Sequence, residues 1–256
     1  MNLISPPTAP IETAHVRIRV ADVDAGGEIE MGGYLARPTR PGPHPGAVVG
    51  MHLFGVDADV RVVCDQLAAL GIVALAPDLY HRDEPGAELA HDESGRARGF
   101  ELLDLMTRQH AVADMASAAE FLRANGCAKV GALGLSVGGH VAYLAAACGV
   151  DLDPVIVLYG GWLPTTQIRL SRPEPTLDLT PAIRGRVLFL VGADDHVVPA
   201  EHRQQIANAL RAAGTRHEVV VYPGVGHAFL GVDPHATADT WRRVHSHFFA
   251  PSVRGT

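Results

Sequence analysis

In the run Gly134-Leu135-Ser136-Val137-Gly138, a serine stands between two glycines, behind an apolar stretch and ahead of an Ala-rich one. A serine hydroxyl can attack a carbonyl carbon if a base removes its proton and an acid orients that base. Glycines two residues before and after it leave room for a strand to turn sharply into a helix with the serine at the apex. The same turn sets the Val137 amide at a helix N-terminus, where a free N–H and the helix dipole stabilise a developing oxyanion. Without partners, the pattern would be only a glycine-rich helix start with Ser136 as its N-cap.

Partners occur at two later places. The apolar run Val187–Val191 leads into Gly192-Ala193-Asp194-Asp195-His196-Val197-Val198-Pro199, which puts a carboxylate just past a strand. The run His217–Val221 leads into Tyr222-Pro223-Gly224-Val225-Gly226-His227, a glycine-flanked loop able to carry an imidazole back toward the serine. Strands of a parallel sheet end along one edge, so Ser136, Asp195 and His227 are expected on one rim, in the chain order nucleophile, acid, base. Asp194 and Asp195 are neighbours, and whichever does not hold the imidazole could cap the helix beginning near Pro199. A second oxyanion donor is expected in His52-Leu53-Phe54-Gly55, at the backbone N–H of Leu53. The plainer alternative there is a strand-to-helix connection with Phe54 in the core.

The elements that must position these groups form an alternation of short β-branched runs and longer Ala-rich amphipathic stretches. That pattern predicts an α/β fold: a mostly parallel twisted sheet with helices on both faces. His15–Val20 and Ile29–Ala36 read as an opening antiparallel pair around the turn Asp24-Ala25-Gly26-Gly27, and a Pro- and Gly-rich connection then leads into the strand Ala47–Met51. The spacing of Val60, Val63, Leu67 and Leu70 predicts a helix over 57–70, with Gly71 as its stop. Further helices are expected near 109–124, 137–148, 200–213 and 236–249, and strands at 72–76, 129–133, 155–159, 187–191 and 217–221. The charge-mixed segment 78–105 is too long for a plain connection and is expected to wall or cover a site; 160–185 is either a lid or a surface excursion.

At 256 residues and 47% apolar content, the chain can bury the core of one α/β domain spanning 1–256, and no internal repeat is visible. A formal net charge of -7 without a basic stripe argues against a nucleic-acid partner. Met1 to Pro10 lacks a basic segment followed by an apolar core, and no apolar run approaches a membrane span, so a soluble cytoplasmic protein is expected. Cys64, Cys127 and Cys148 are odd in number and widely spaced, as suits reduced thiols. His196, His202, His217, His245 and His247 form no H-x-x-x-H or H-E-x-x-H arrangement, so no metal is expected; His81, His91 and His110 read as surface or pocket-edge residues.

These motifs, with Ala76-Pro77-Asp78-Leu79-Tyr80 and His227-Ala228-Phe229, make the chain resemble the dienelactone hydrolases of the α/β-hydrolase superfamily over nearly its whole length. The resemblance implies a cofactor-free hydrolase acting on a small-molecule ester or lactone, and it maps the acid of the triad to Asp195. Tyr80, Arg82, Tyr159 and Trp162, in or beside the two long segments, are candidates to line the pocket, against plain packing or solvent exposure; His52 and Phe54 are further candidate substrate-binding residues. Three departures stand out. Ser136 occupies a position held by cysteine in the best-known members, and His52 stands where a glutamate is common. Arg82 matches one of two arginines that hold a substrate carboxylate, whereas Gly231 stands at the other. Losing half of a cationic clamp removes a charge-assisted interaction of roughly 1.5–3 kcal/mol per hydrogen bond. Two rival readings keep the scaffold: other carbonyl chemistry of lyase or cyclase type, or ligand binding without catalysis.

Overall fold

The computed structural model describes residues 9–250, so the stretch Met1 to Pro10 lies mostly outside the described residues, as do 251–256. Strands β1 (Ile11–Ala21) and β2 (Glu28–Pro38) pair antiparallel along their whole length. Asp22 organises the turn between them: its carboxylate accepts the amides of Asp24 and Ala25, and Gly26 and Gly27 take positive φ. Six further strands follow: β3 (Gly46–Gly50), β4 (Val73–Pro77), β5 (Val130–Leu135), β6 (Val155–Leu158), β7 (Val187–Gly192) and β8 (His217–Tyr222).

They form one sheet in the order β1-β2-β4-β3-β5-β6-β7-β8, parallel from β4 through β8. Every residue of β3, β5, β6 and β7 is buried, as expected of strands covered on both faces. The chain crosses back over β3 between β4 and β5, so the direction of winding reverses beside β3 and β5. Ligands gather at the strand C-terminal ends near such a reversal.

The helices are α1 (Ala58–Ala69), α2 (Glu93–Leu105), α3 (Arg108–Ala124), α4 (Val137–Ala147), α5 (Ala200–Ala212) and α6 (Pro234–Phe249). All eleven residues of α4 are buried, making it the central helix behind Ser136. No described helix is long and apolar enough to cross a membrane.

Two segments for which the sequence pattern predicts no regular element, 78–105 and 160–185, contain helices. Within 78–105, α2 forms a regular helix, capped by Asp92 accepting the Gly95 amide at 2.8 Å. Its buried face includes Gly95 and Gly99, where a β-carbon would stand 1.9 Å from the Ala90 carbonyl and 2.7 Å from Leu53, respectively. Glycine serves close packing there, so its usual meaning as a helix breaker misleads. Within 160–185, two short 3-10 helices, Arg169–Ser171 and Thr176–Ala182, are pinned to α4. Buried His140 joins the Gly161 carbonyl at 2.7 Å and the Thr176 hydroxyl at 2.8 Å, and the Tyr143 and Thr180 hydroxyls meet at 2.6 Å.

Candidate active site

β5 ends in Leu135 and α4 begins at Val137, so Ser136 alone makes the turn, at φ 53° and ψ −113°. Such a conformation costs a non-glycine residue of order 1–3 kcal/mol and persists only where its surroundings fix it. Those surroundings are backbone: a β-carbon on Gly134 would stand 2.0 Å from the Gly138 carbonyl oxygen, and one on Gly138 would stand 2.2 Å from Gly50. The G-x-S-x-G spacing is thus a steric requirement of β3, β5 and α4 meeting at one point.

His227 arrives on the loop after β8, helped by positive φ at Gly224 and Ala228. Its Nε2 lies 2.9 Å from Ser136 Oγ, and its Nδ1 lies 2.8 Å from Asp195 Oδ2. A carboxylate only accepts, so Nδ1 carries the proton and Nε2 offers its lone pair to the serine hydroxyl. Asp195, fully buried at its side chain, follows β7. Its other oxygen accepts the amides of Val197 and Val198 at 2.8 and 3.0 Å. Burial pushes the Asp195 carboxyl up, but the hydrogen bond and charge of His227 and the two amides outweigh it and hold the group below its ordinary value. Asp194 is exposed, and α5 has no side-chain cap, so one aspartate both caps the turn amides and holds the imidazole.

The serine opens on a cavity of about 380 Å³ whose walls include His52, Phe54, Val63, His91, Tyr159 and Leu230. Tyr159, itself at positive φ, sets its ring edge against His227 at 5.1 Å between centroids. Burial raises the Tyr159 hydroxyl's pKa, with the Asp195 charge adding to it, so the group stays protonated. Burial lowers that of His52, whose Nδ1 accepts the Phe54 amide at 3.3 Å. Val137 is the first residue of α4, so its amide has no intrahelical acceptor one turn earlier.

Of the six residues expected to contact substrate, His52, Phe54 and Tyr159 line the cavity; Tyr80, Arg82 and Trp162 do not. The Tyr80 hydroxyl is buried and donates to the Leu53 carbonyl at 3.0 Å. Arg82 donates to both oxygens of buried Asp114, at 2.8 and 2.7 Å. Trp162 packs edge-on against Phe100. The segments 78–105 and 160–185 carry these residues away from strands that end at the site, but side-chain direction is decided by packing partners far along the chain. From 78–105, the cavity receives His91; from 160–185 it receives no lining residue. Asp59 also lines the cavity, a position that its place in the first turn of α1 did not reveal.

An eight-stranded, mostly parallel sheet with a serine at the β5–α4 turn and an acid and a histidine after β7 and β8 defines an α/β-hydrolase scaffold. The model of the dienelactone hydrolase family matches residues 31–252, and the chain belongs to that family. A carboxymethylenebutenolidase of Pseudomonas putida is 33% identical over 202 residues, covering 77% of this chain and 80% of its own. A Synechocystis protein provisionally given the same name is 29% identical over 232 residues, covering 86% and 92%. Among solved structures, one from Klebsiella pneumoniae, provisionally described as a dienelactone hydrolase, superposes with a TM-score of 0.77. It is 28% identical and covers 92% of this chain and 98% of its own.

Proposed function

We propose that the chain is a serine-dependent carboxylic ester or lactone hydrolase that works through an acyl-enzyme. His227 Nε2 takes the Ser136 proton as Oγ attacks the carbonyl carbon, and Asp195 holds the imidazole in the required tautomer and stabilises its positive charge. The amides of Val137 and Leu53 bind the oxyanion. The imidazolium then protonates the leaving alcohol, or the ring alcohol of a lactone. Water, activated by the same histidine, releases the acid and returns the proton to Ser136. The observation that carries this reading is the unbroken hydrogen-bonded chain from Ser136 through His227 to Asp195 at the floor of the cavity.

Substrate class follows from the walls. Among the described residues no lysine or arginine lines the cavity, Arg82 is committed to Asp114, and Gly231 offers no side chain. With Asp59 as a lining carboxylate, the cavity favours an ester or lactone whose remaining parts are apolar and uncharged over one bearing a carboxylate. The unpaired cysteines support a cytoplasmic setting.

A hydrolysis panel of short and long acyl esters, neutral lactones and carboxylate-bearing lactones tests this, run beside Ser136→Ala and with a fluorophosphonate probe. The expected result is turnover of the neutral esters or lactones, and labelling of Ser136 that requires His227. Near-wild-type turnover in Ser136→Ala would refute the assignment.

A further inference from the structure

One wall of the cavity presents His52, Asp59 and His91, two of which contact Asp57, and acyl transfer uses none of the four. His52 lies on the loop after β3, Asp57 and Asp59 open α1, and His91 precedes α2; one ligand atom from each lies within 4.8 Å of every other. Among the described residues His52 Nε2 is buried without a hydrogen-bond partner, and it lies 3.4 Å from Asp57 Oδ1. His91 Nε2 lies 2.6 Å from Asp57 Oδ2. A buried polar atom left unpaired costs about 1–3 kcal/mol, so the orphaned nitrogen calls for an occupant.

The chemistry of the donors narrows that occupant. Two imidazoles and two carboxylates suit a borderline cation bound at four positions, whereas magnesium and calcium prefer sets made of oxygen. Asp57 Oδ1 is engaged by the amides of Asp59 and Val60, which leaves Oδ2 to ligate.

We propose that His52, Asp57, Asp59 and His91 form a binding site for a divalent transition-metal ion of the zinc class in the wall of the substrate cavity. Loading rearranges ring protons by exchange with solvent. His52 and His91 each end with a single proton on Nδ1 and a bare Nε2 facing the cation. Any further proton held between His91 and Asp57 Oδ2 is released, and His52 Nδ1 gives up the long contact from the Phe54 amide. No electron transfer is involved. A search for histidine pairs along one helix misses such a site, because its ligands come from two separate parts of the chain, 52–59 and 91.

The test is a zinc titration of chelator-stripped, untagged protein against a chromogenic competitor. One equivalent is expected to bind, with affinity at least about tenfold weaker in His91→Ala and in Asp59→Asn. Binding is expected to be unchanged in His227→Ala, which keeps the four ligands. Absence of stoichiometric zinc uptake by the wild type would overturn the proposal, as would equal affinity in properly folded His91→Ala and Asp59→Asn. Should those variants fail to fold, cobalt(II) added to wild type decides: the intense visible bands of a four- or five-coordinate site are expected, and the spectrum of the aquo ion would overturn it. Ester turnover by the metal-free wild type and by Ser136→Ala tests the hydrolase reading separately.

Discussion

The hydroxyl of Tyr80 donates to the backbone carbonyl of Leu53 at 3.0 Å, tying the segment after β4 to the loop after β3. The Leu53 amide is the proposed second oxyanion donor, so Tyr80 is a positioning residue that never touches substrate. Tyr80→Phe keeps the ring in its packing and removes only the bond. A lost neutral hydrogen bond is worth about 1 kcal/mol, so kcat should fall roughly three- to tenfold. Steady-state kinetics check this, with KM expected to stay within about twofold because the oxyanion contact forms in the transition state. A purely structural role would lower thermal stability and leave kcat per folded molecule intact.

Asp195→Asn should leave the imidazole in place but favour the wrong tautomer, lowering kcat by about 10³- to 10⁴-fold. Exposed Asp194, one residue earlier, serves as the control, and Asp194→Asn should stay within about twofold of wild type. Turnover of an activated ester by the two variants separates the adjacent carboxylates.

At the crossing of β3 and α4, Gly138→Ala forces a methyl group to within 2.2 Å of the Gly50 backbone, where neither chain can yield. A loss of about 3 kcal/mol or more is expected, seen in denaturant melts or as failure to accumulate folded protein. Gly139→Ala gives a graded comparison, since its nearest neighbour would lie at 3.1 Å, and a smaller loss is expected.

Buried His140 should make stability depend on pH. Burial drops its pKa from 6.5 to about 4, even though the Gly161 carbonyl favours the charged form. The unfolded chain therefore binds a proton that the folded chain refuses. The stabilisation from neutral His140 is full above pH 6.5 and falls as pH drops toward 4, by roughly 3 kcal/mol in all. Urea midpoints measured from pH 7 to 4 check this. His140→Gln should be less stable at pH 7 and should show a shallower decline.

Much of the architecture could be read along the chain because it rests on local periodicity. The buried apolar runs gave β3 and β5 to β7, and the three- and four-residue steps of Val60, Val63 and Leu67 gave α1. The helix α2 could not be read the same way: its buried face is partly glycine, and only the surfaces opposite Gly95 and Gly99 show why. Likewise, 160–185 reads as loose chain until His140 and Tyr143 of α4 are seen to bond it down.

The sequence by itself determined the chemical types: a serine between spaced glycines, an acid after one strand, an imidazole after the next. Those are properties of short segments, fixed by turn sterics and strand ends. Tertiary structure alone decided which groups meet. It brought Ser136 to His227 across 91 positions, turned Asp195 rather than Asp194 inward, and drew Arg82 away to Asp114. It also set His52 and His91 about one carboxylate. The reason is that side-chain direction is settled by burial and by hydrogen-bond partners contributed from distant strands, and a sequence records such partners without recording their distance.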